Sequence, residues 1–139
     1  MNRRFAIESL PIAAARPRTR VVNGRAMVYT LKGGKYGVWF RALVSAFTGA
    51  AHFEGPIEVS IAFALPRRKS EIAAAGGLRP SAREHHVTRP DVDNLAKGVL
   101  DAMTAAGLIN DDRQVVRLVV EKFYANGLEG GAVVKVRDV

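Results

Sequence analysis

A chain of 139 residues, 48% hydrophobic and 24% charged, has the composition of one ordinary folded domain with a core of its own, not of a disordered chain. It contains no cysteine, which excludes disulfide frameworks, thiolate zinc sites and cysteine nucleophiles. Lysine and arginine total 21 against 13 acids, a net charge of +8, so a polyanion is the first partner to consider.

Arg3 and Arg4 lie near the start of the chain, but Glu8 and Pro11 interrupt the apolar residues after them, so no secretion signal is expected. No apolar run reaches the ~20 residues of a membrane helix. The expectation is a soluble, cytoplasmic protein with no membrane partner. Phe5 to Leu10 reads as a short strand, and the stretch PIAAARPRTR, Pro11 to Arg20, as an exposed basic arm. Asn23-Gly24 supplies the positive φ angles of a tight turn between Val21-Val22 and Met27-Val28-Tyr29, a small hairpin. From Lys35 to Ala50, Tyr36, Trp39, Phe40, Leu43, Val44 and Phe47 recur at helical spacing, which assigns the aromatic residues to the core before any base-stacking role.

Ile57, Val59, Ile61, Phe63 and Leu65 alternate as a strand that ends at Pro66. Arg67 to Pro90 is weakly patterned and reads as a long, mobile connection with a short helix near Ser70 to Ala75. Val92, Leu95, Val99, Met103 and Ala106 mark a second helix, starting near Asp93 and capped by Gly107. Gly98 inside it costs ~1 kcal/mol relative to alanine, so this helix needs tertiary support. The β-branched run Val115 to Tyr124 reads as a buried central strand. Asn126-Gly127 and Gly130-Gly131 mark a turn, and Ala132 to Val139 is the last strand. The expected fold is a single α/β domain over residues 1–139, a mixed sheet flanked by two main helices.

In so basic a chain, acids concentrated in two short runs need an explanation: Asp91-Val-Asp93-Asn with Lys97 and Asp101, then Asp111-Asp112. Pro90 biases Arg89 away from helix, so Asp91 to Asp93 reads as an extended approach with both carboxylates on one side, repelling unless a cation lies between them. If the strand after Asp111-Asp112 returns beside that approach, the two runs meet. Carboxylates with open coordination positions suit a hard cation such as Mg²⁺, which also accepts phosphate oxygens. Lys97, one helical turn after Asp93, reaches either a phosphate or an ordinary partner, Asp93 or Asp101. Taken singly, Asp91 or Asp93 reads first as a helix cap and Asp111-Asp112 as turn residues. The pattern alone leaves metal site and capping open.

At these residues the sequence resembles the RusA family of Holliday-junction resolvases. The likeness rests on RPDVDNLAKGVLDAM, GLINDDRQV and a strand ending in EKFY; it extends more loosely to RPRTRVVNGRAMVYT, where the phage-type branch is the nearer match, and to EGPIEVSIAFALP. The resemblance implies that Asp91, Asp93 and Asp112 bind Mg²⁺ or Mn²⁺, that Lys97 is catalytic, and that Asp111 ranks below Asp112. It implies a homodimer that nicks a four-way DNA junction symmetrically, in recombination and repair. Arg16, Arg18, Arg20, Arg25, Arg67, Arg68 and Lys69 are the expected phosphate contacts, each with a solvated basic loop as its plain alternative. His85 and His86 lack companions at metal-ligand spacing and read as loop residues. The rival functions are a non-catalytic DNA-binding recombination accessory and a metal-dependent ribonuclease.

Overall fold

The computed structural model describes residues 1–14, 18–29, 33–125 and 129–139, with the side chains of Arg18, Val28 and Tyr29 outside that description. Its centre is β4, Ile57–Leu65, in which every odd-numbered residue is buried and every even-numbered one half-buried. That alternation comes from the strand's place: β4 pairs antiparallel with β6, Gly131–Asp138, and parallel with β5, Val115–Tyr124. β1, Asn2–Ile7, joins the far side of β6, so the four-stranded sheet runs β1-β6-β4-β5. The chain is a single-domain mixed α/β fold, with β2, Arg18–Val22, and β3, Arg25–Tyr29, forming a separate two-stranded ribbon. Asn23 (φ 52°) and Gly24 (φ 72°) both occupy the left-handed region, as the two-residue turn requires.

The helices are α1, Gly34–Phe47, and α2, Val92–Ala105. Tyr36, Trp39, Leu43 and Phe47 of α1 are buried, with Phe47 edge-on to Phe5 of β1 and Trp39 against Phe63 of β4. Leu95, Val99, Ala102 and Met103 of α2 are fully buried. Gly98 has a packing reason: a Cβ there would stand 3.3 Å from the Tyr36 hydroxyl, so the glycine lets α1 approach. α2 ends in a Schellman motif, Gly107 at φ 76° donating to the Thr104 carbonyl and Leu108 to that of Met103.

Several expectations are corrected. The first strand lies earlier than Phe5 to Leu10, and Pro11 to Ala14 is a docked segment, not an exposed arm: Pro11 and Ala14 are buried, and Ala14 N–H donates to the Asn94 carbonyl on α2. Val115 to Tyr124 is an edge strand, not a central one, leaving Val116, Leu118, Val119 and Phe123 exposed. A β-branched run reports extended backbone, but its pairing partners decide which strand is central. Between Arg67 and Pro90 no α-helix forms over Ser70 to Ala75; one 3₁₀ turn, Lys69–Glu71, is succeeded by a bridge between Ile72 and Leu78. Gly130-Gly131 serves close packing: a Cβ on Gly130 would lie 2.7 Å from the Ala64 carbonyl oxygen, and one on Gly131 2.7 Å from that of Ile7. The Asn126-Gly127 turn lies outside the described residues.

Candidate active site

α2 begins at Val92, so Asp91 and Asp93 are not neighbours along an extended strand as expected. Asp91 is the last extended residue (φ −74°, ψ 143°), while Asp93 already sits in the first helical turn. The side chain of Asp91 makes no capping hydrogen bond to α2. It lines a cavity of about 600 Å³ with Pro11, Arg89 and Asn94. Asp93 opens instead onto a neighbouring cleft of about 550 Å³, shared with Lys97, Asp101, Asp112 and, from β5, Leu118 and Val120. Packing α2 along β5 therefore brings Asp93, Lys97 and Asp112 to one cleft and leaves Asp91 beside it.

The cleft is long. Asp93 and Asp101 are eight residues apart on α2, roughly 12 Å along its axis, and Asp101 also shares a second lining with Asp112 and Asp111. Among the described residues, no three His, Asp or Glu side chains gather into a metal-holding group. The donor chemistry nonetheless suits a hard divalent cation: Asp93 and Asp112 are exposed carboxylates facing an open cleft. Lys97 donates to Asp101 at 3.2 Å across one helical turn, with side chains 57% and 44% exposed. Such a pair contributes only a few tenths of a kcal/mol and yields readily to a competing anion.

The second acidic run is held by a capping box. Asp111 Oδ1 accepts from the Arg113 backbone N–H at 2.8 Å and from Arg113 Nε at 3.0 Å. The Arg113 N–H, and then its guanidinium, hold the Asp111 carboxyl below its ordinary value of 3.8. Gln114 completes the box: Oε1 accepts from Asp111 N–H at 3.4 Å and also from Asn110 N–H at 2.7 Å, while Nε2 donates to the carbonyls of Phe53 at 2.8 Å and Gly55 at 3.0 Å. The turn is thus fastened to the chain just before β4. Asp111 folds the turn and Asp112 faces the cleft. The glutamine of the D-D-x-Q pattern was visible, but its tie to residues some sixty positions earlier was not.

The approach to α2 is fastened too. Lys122 of β5 donates from Nζ to the carbonyls of Thr88 at 2.7 Å and Pro90 at 2.9 Å, the latter directly before Asp91; the Arg89–Pro90 peptide is cis. His86, expected as a plain loop residue, is buried against Tyr124 with ring centroids 4.9 Å apart. Burial first, and the Lys122 charge second, push the His86 imidazole below its ordinary value of 6.5. His85 is exposed.

The basic residues divide. Arg67, expected as a phosphate contact, is engaged within the protein: it bonds Glu71 at 3.0 Å and the Arg83 carbonyl at 2.6 Å, and lies 4.0 Å over the Tyr124 ring. Only 11% of its side chain is exposed, so its charge is spent inside the fold. Arg68, Lys69, Arg20 and Arg25 are exposed or half-exposed. Arg16 and the side chain of Arg18 lie outside the described residues.

The family model described as endodeoxyribonuclease RusA matches residues 8–137, nearly the whole chain. The chain is also similar to the uncharacterized protein YqaN of Bacillus subtilis (strain 168), 34% identical over 145 aligned residues that cover 98% of this chain and 96% of that protein.

Proposed function

From the premise that this chain belongs to the RusA endodeoxyribonuclease family, a family of Holliday-junction-resolving nucleases, we propose a divalent-metal-dependent enzyme that nicks four-way DNA junctions as a homodimer. Asp91, Asp93 and Asp112 are its metal-holding carboxylates and Lys97 its catalytic cation. The observation that carries this reading is the single cleft lined by Asp93, Lys97 and Asp112.

Mg²⁺ or Mn²⁺ held by these carboxylates would polarise the phosphodiester and make water a nucleophile near neutral pH. The protein's own share is positioning and charge. A net charge of +8 draws the polyanion in, and Arg20, Arg68 and Lys69 are offered as contacts along its backbone. The Lys97 ammonium, already directed along the cleft, exchanges Asp101 for a phosphate oxygen and stabilises the charge that develops there. Asp111 and Gln114 keep the Asp112 turn fixed during that exchange, and Lys122 does the same for the peptides before Asp91. Two copies of such a site suit the two opposed strands of a junction, and the products feed recombination and repair.

The test is cleavage of a labelled four-way junction beside a linear duplex of the same sequence, in Mg²⁺, Mn²⁺ or EDTA. Paired, metal-dependent nicks confined to the junction are expected, and Asp93→Asn should bind the junction without cutting it. Tight binding with no cut product in any metal would leave a DNA-binding module and remove the catalytic reading; cleavage of RNA junctions alone would make it a ribonuclease.

A further inference from the structure

At the far end of the parallel β4–β5 pair from Asp112, a cavity of about 270 Å³ is lined by Arg68 and Arg83, by the small hydroxyl residues Ser70, Ser81 and Thr88, and by Glu71 and Tyr124. Two arginines and the small hydroxyl residues make a set rich in donors, suited to an anion with several acceptor oxygens. The one carboxylate does not oppose such a ligand, because it is already committed. Glu71 Oε2 accepts from Arg67 Nη1 at 3.0 Å and from the Arg83 backbone N–H at 3.0 Å.

The same contacts fix Arg83. Its N–H is held by Glu71, its carbonyl accepts from Arg67 at 2.6 Å, and Arg67 is itself laid over the Tyr124 ring. A nearly buried ion pair and a cation–π contact thus clamp the backbone of an exposed arginine. Among the described residues neither the Arg83 nor the Arg68 guanidinium is engaged in an ion pair. Fixing the backbone while leaving the charge available is how a loop is prepared for a ligand, since the ordering cost is met before binding. Thr88 joins this cavity to the acidic region: Lys122 holds the Thr88 and Pro90 carbonyls together, so both sites are anchored to one strand.

We propose that this cavity binds a non-scissile backbone phosphate of the DNA, with Arg83 and Arg68 as joint ligands of one phosphodiester. The inference rests on the nuclease reading for the identity of its ligand, and it assigns a contact, Arg83, that the sequence pattern did not single out. Arg67 acts through it as a positioning residue.

The experiment measures affinity of the full chain for a fluorescent four-way junction in EDTA, across a series of salt concentrations. Wild type, Arg83→Gln and the double variant Arg68→Gln/Arg83→Gln are compared. Arg83→Gln keeps the clamped backbone groups, so folding is preserved, and circular dichroism checks this. Affinity should fall about tenfold in Arg83→Gln, while the slope of log affinity against log salt shrinks by less than about 0.9, because Arg68 still neutralises the phosphate. In the double variant affinity falls further and the total slope loss is about 0.9, one phosphate's worth, because both arginines serve one phosphate. Unchanged affinity in Arg83→Gln overturns the proposal. A total slope loss of about 1.8 in the double variant also overturns it, showing two independent surface charges. Normal junction nicking by the wild type beside a silent Arg83→Gln removes the phosphate site alone; the expected slope change in a wild type that never nicks removes the nuclease reading and keeps the site.

Discussion

Two ion pairs of identical spacing, one lining the acidic cleft and one beside the Arg83 cavity, have opposite fates. Lys97–Asp101 and Arg67–Glu71 are both four residues apart, at 3.2 and 3.0 Å. The first stays open, with side chains 57% and 44% exposed; the second is 11% and 13% exposed under Tyr124 and the Arg83 peptide. Water screens the open pair, so little is lost when a ligand takes one partner. The covered pair has no such replacement, and breaking it strands a desolvated charge. The covered pair builds the fold, and the open one stays accessible to a ligand.

Asp112→Asn breaks the comparison hardest on the open side. Junction nicking in single turnover should fall by on the order of 100-fold or more, with the melting temperature unchanged; a large fall in melting temperature would move Asp112 to the structural side. On the covered side, Lys122→Met keeps the stem and removes the donor to the Thr88 and Pro90 carbonyls. Urea unfolding should show a loss of about 1 to 2 kcal/mol, partly restored by Lys122→Arg.

A pH series sharpens the contrast. The folded-state value of His86 is depressed below 6.5, so the unfolded chain binds more protons than the folded one as pH falls below 6.5. His86 therefore supports folding above that pH and withdraws its support on acidification towards its folded value. Melting curves taken from pH 7 downward should show this decline, and His86→Phe, which keeps a ring against Tyr124, should flatten it. An equal decline in both proteins would assign it to other groups. The smallest effect belongs to Asp101→Asn, which should change stability by only a few tenths of a kcal/mol. A loss several times larger would mean the open pair is part of the fold after all.

Much of the architecture was legible locally. Burial in β4 tracks its alternation residue by residue, the Asn23-Gly24 turn takes the angles its residues favour, and Gly107 caps α2. The acidic motif was legible as a pattern of residue types at fixed spacing. Its arrangement was not, because Asp91 and Asp93 fall on either side of a helix start that moved by one residue. The burial of Arg67 and His86 was not legible for a related reason: nothing near them in the chain shows that Tyr124, far along the sequence, will cover both.

The sequence by itself determined periodicity, charge, turn chemistry and the acidic pattern, since each depends on neighbours a few residues away. Tertiary structure alone decided which strand became an edge, which arginine was buried, and which carboxylates share a cleft. Those outcomes depend on contacts between distant segments and on how much water they exclude, and that exclusion sets whether a charge is spent on the fold or kept for a ligand.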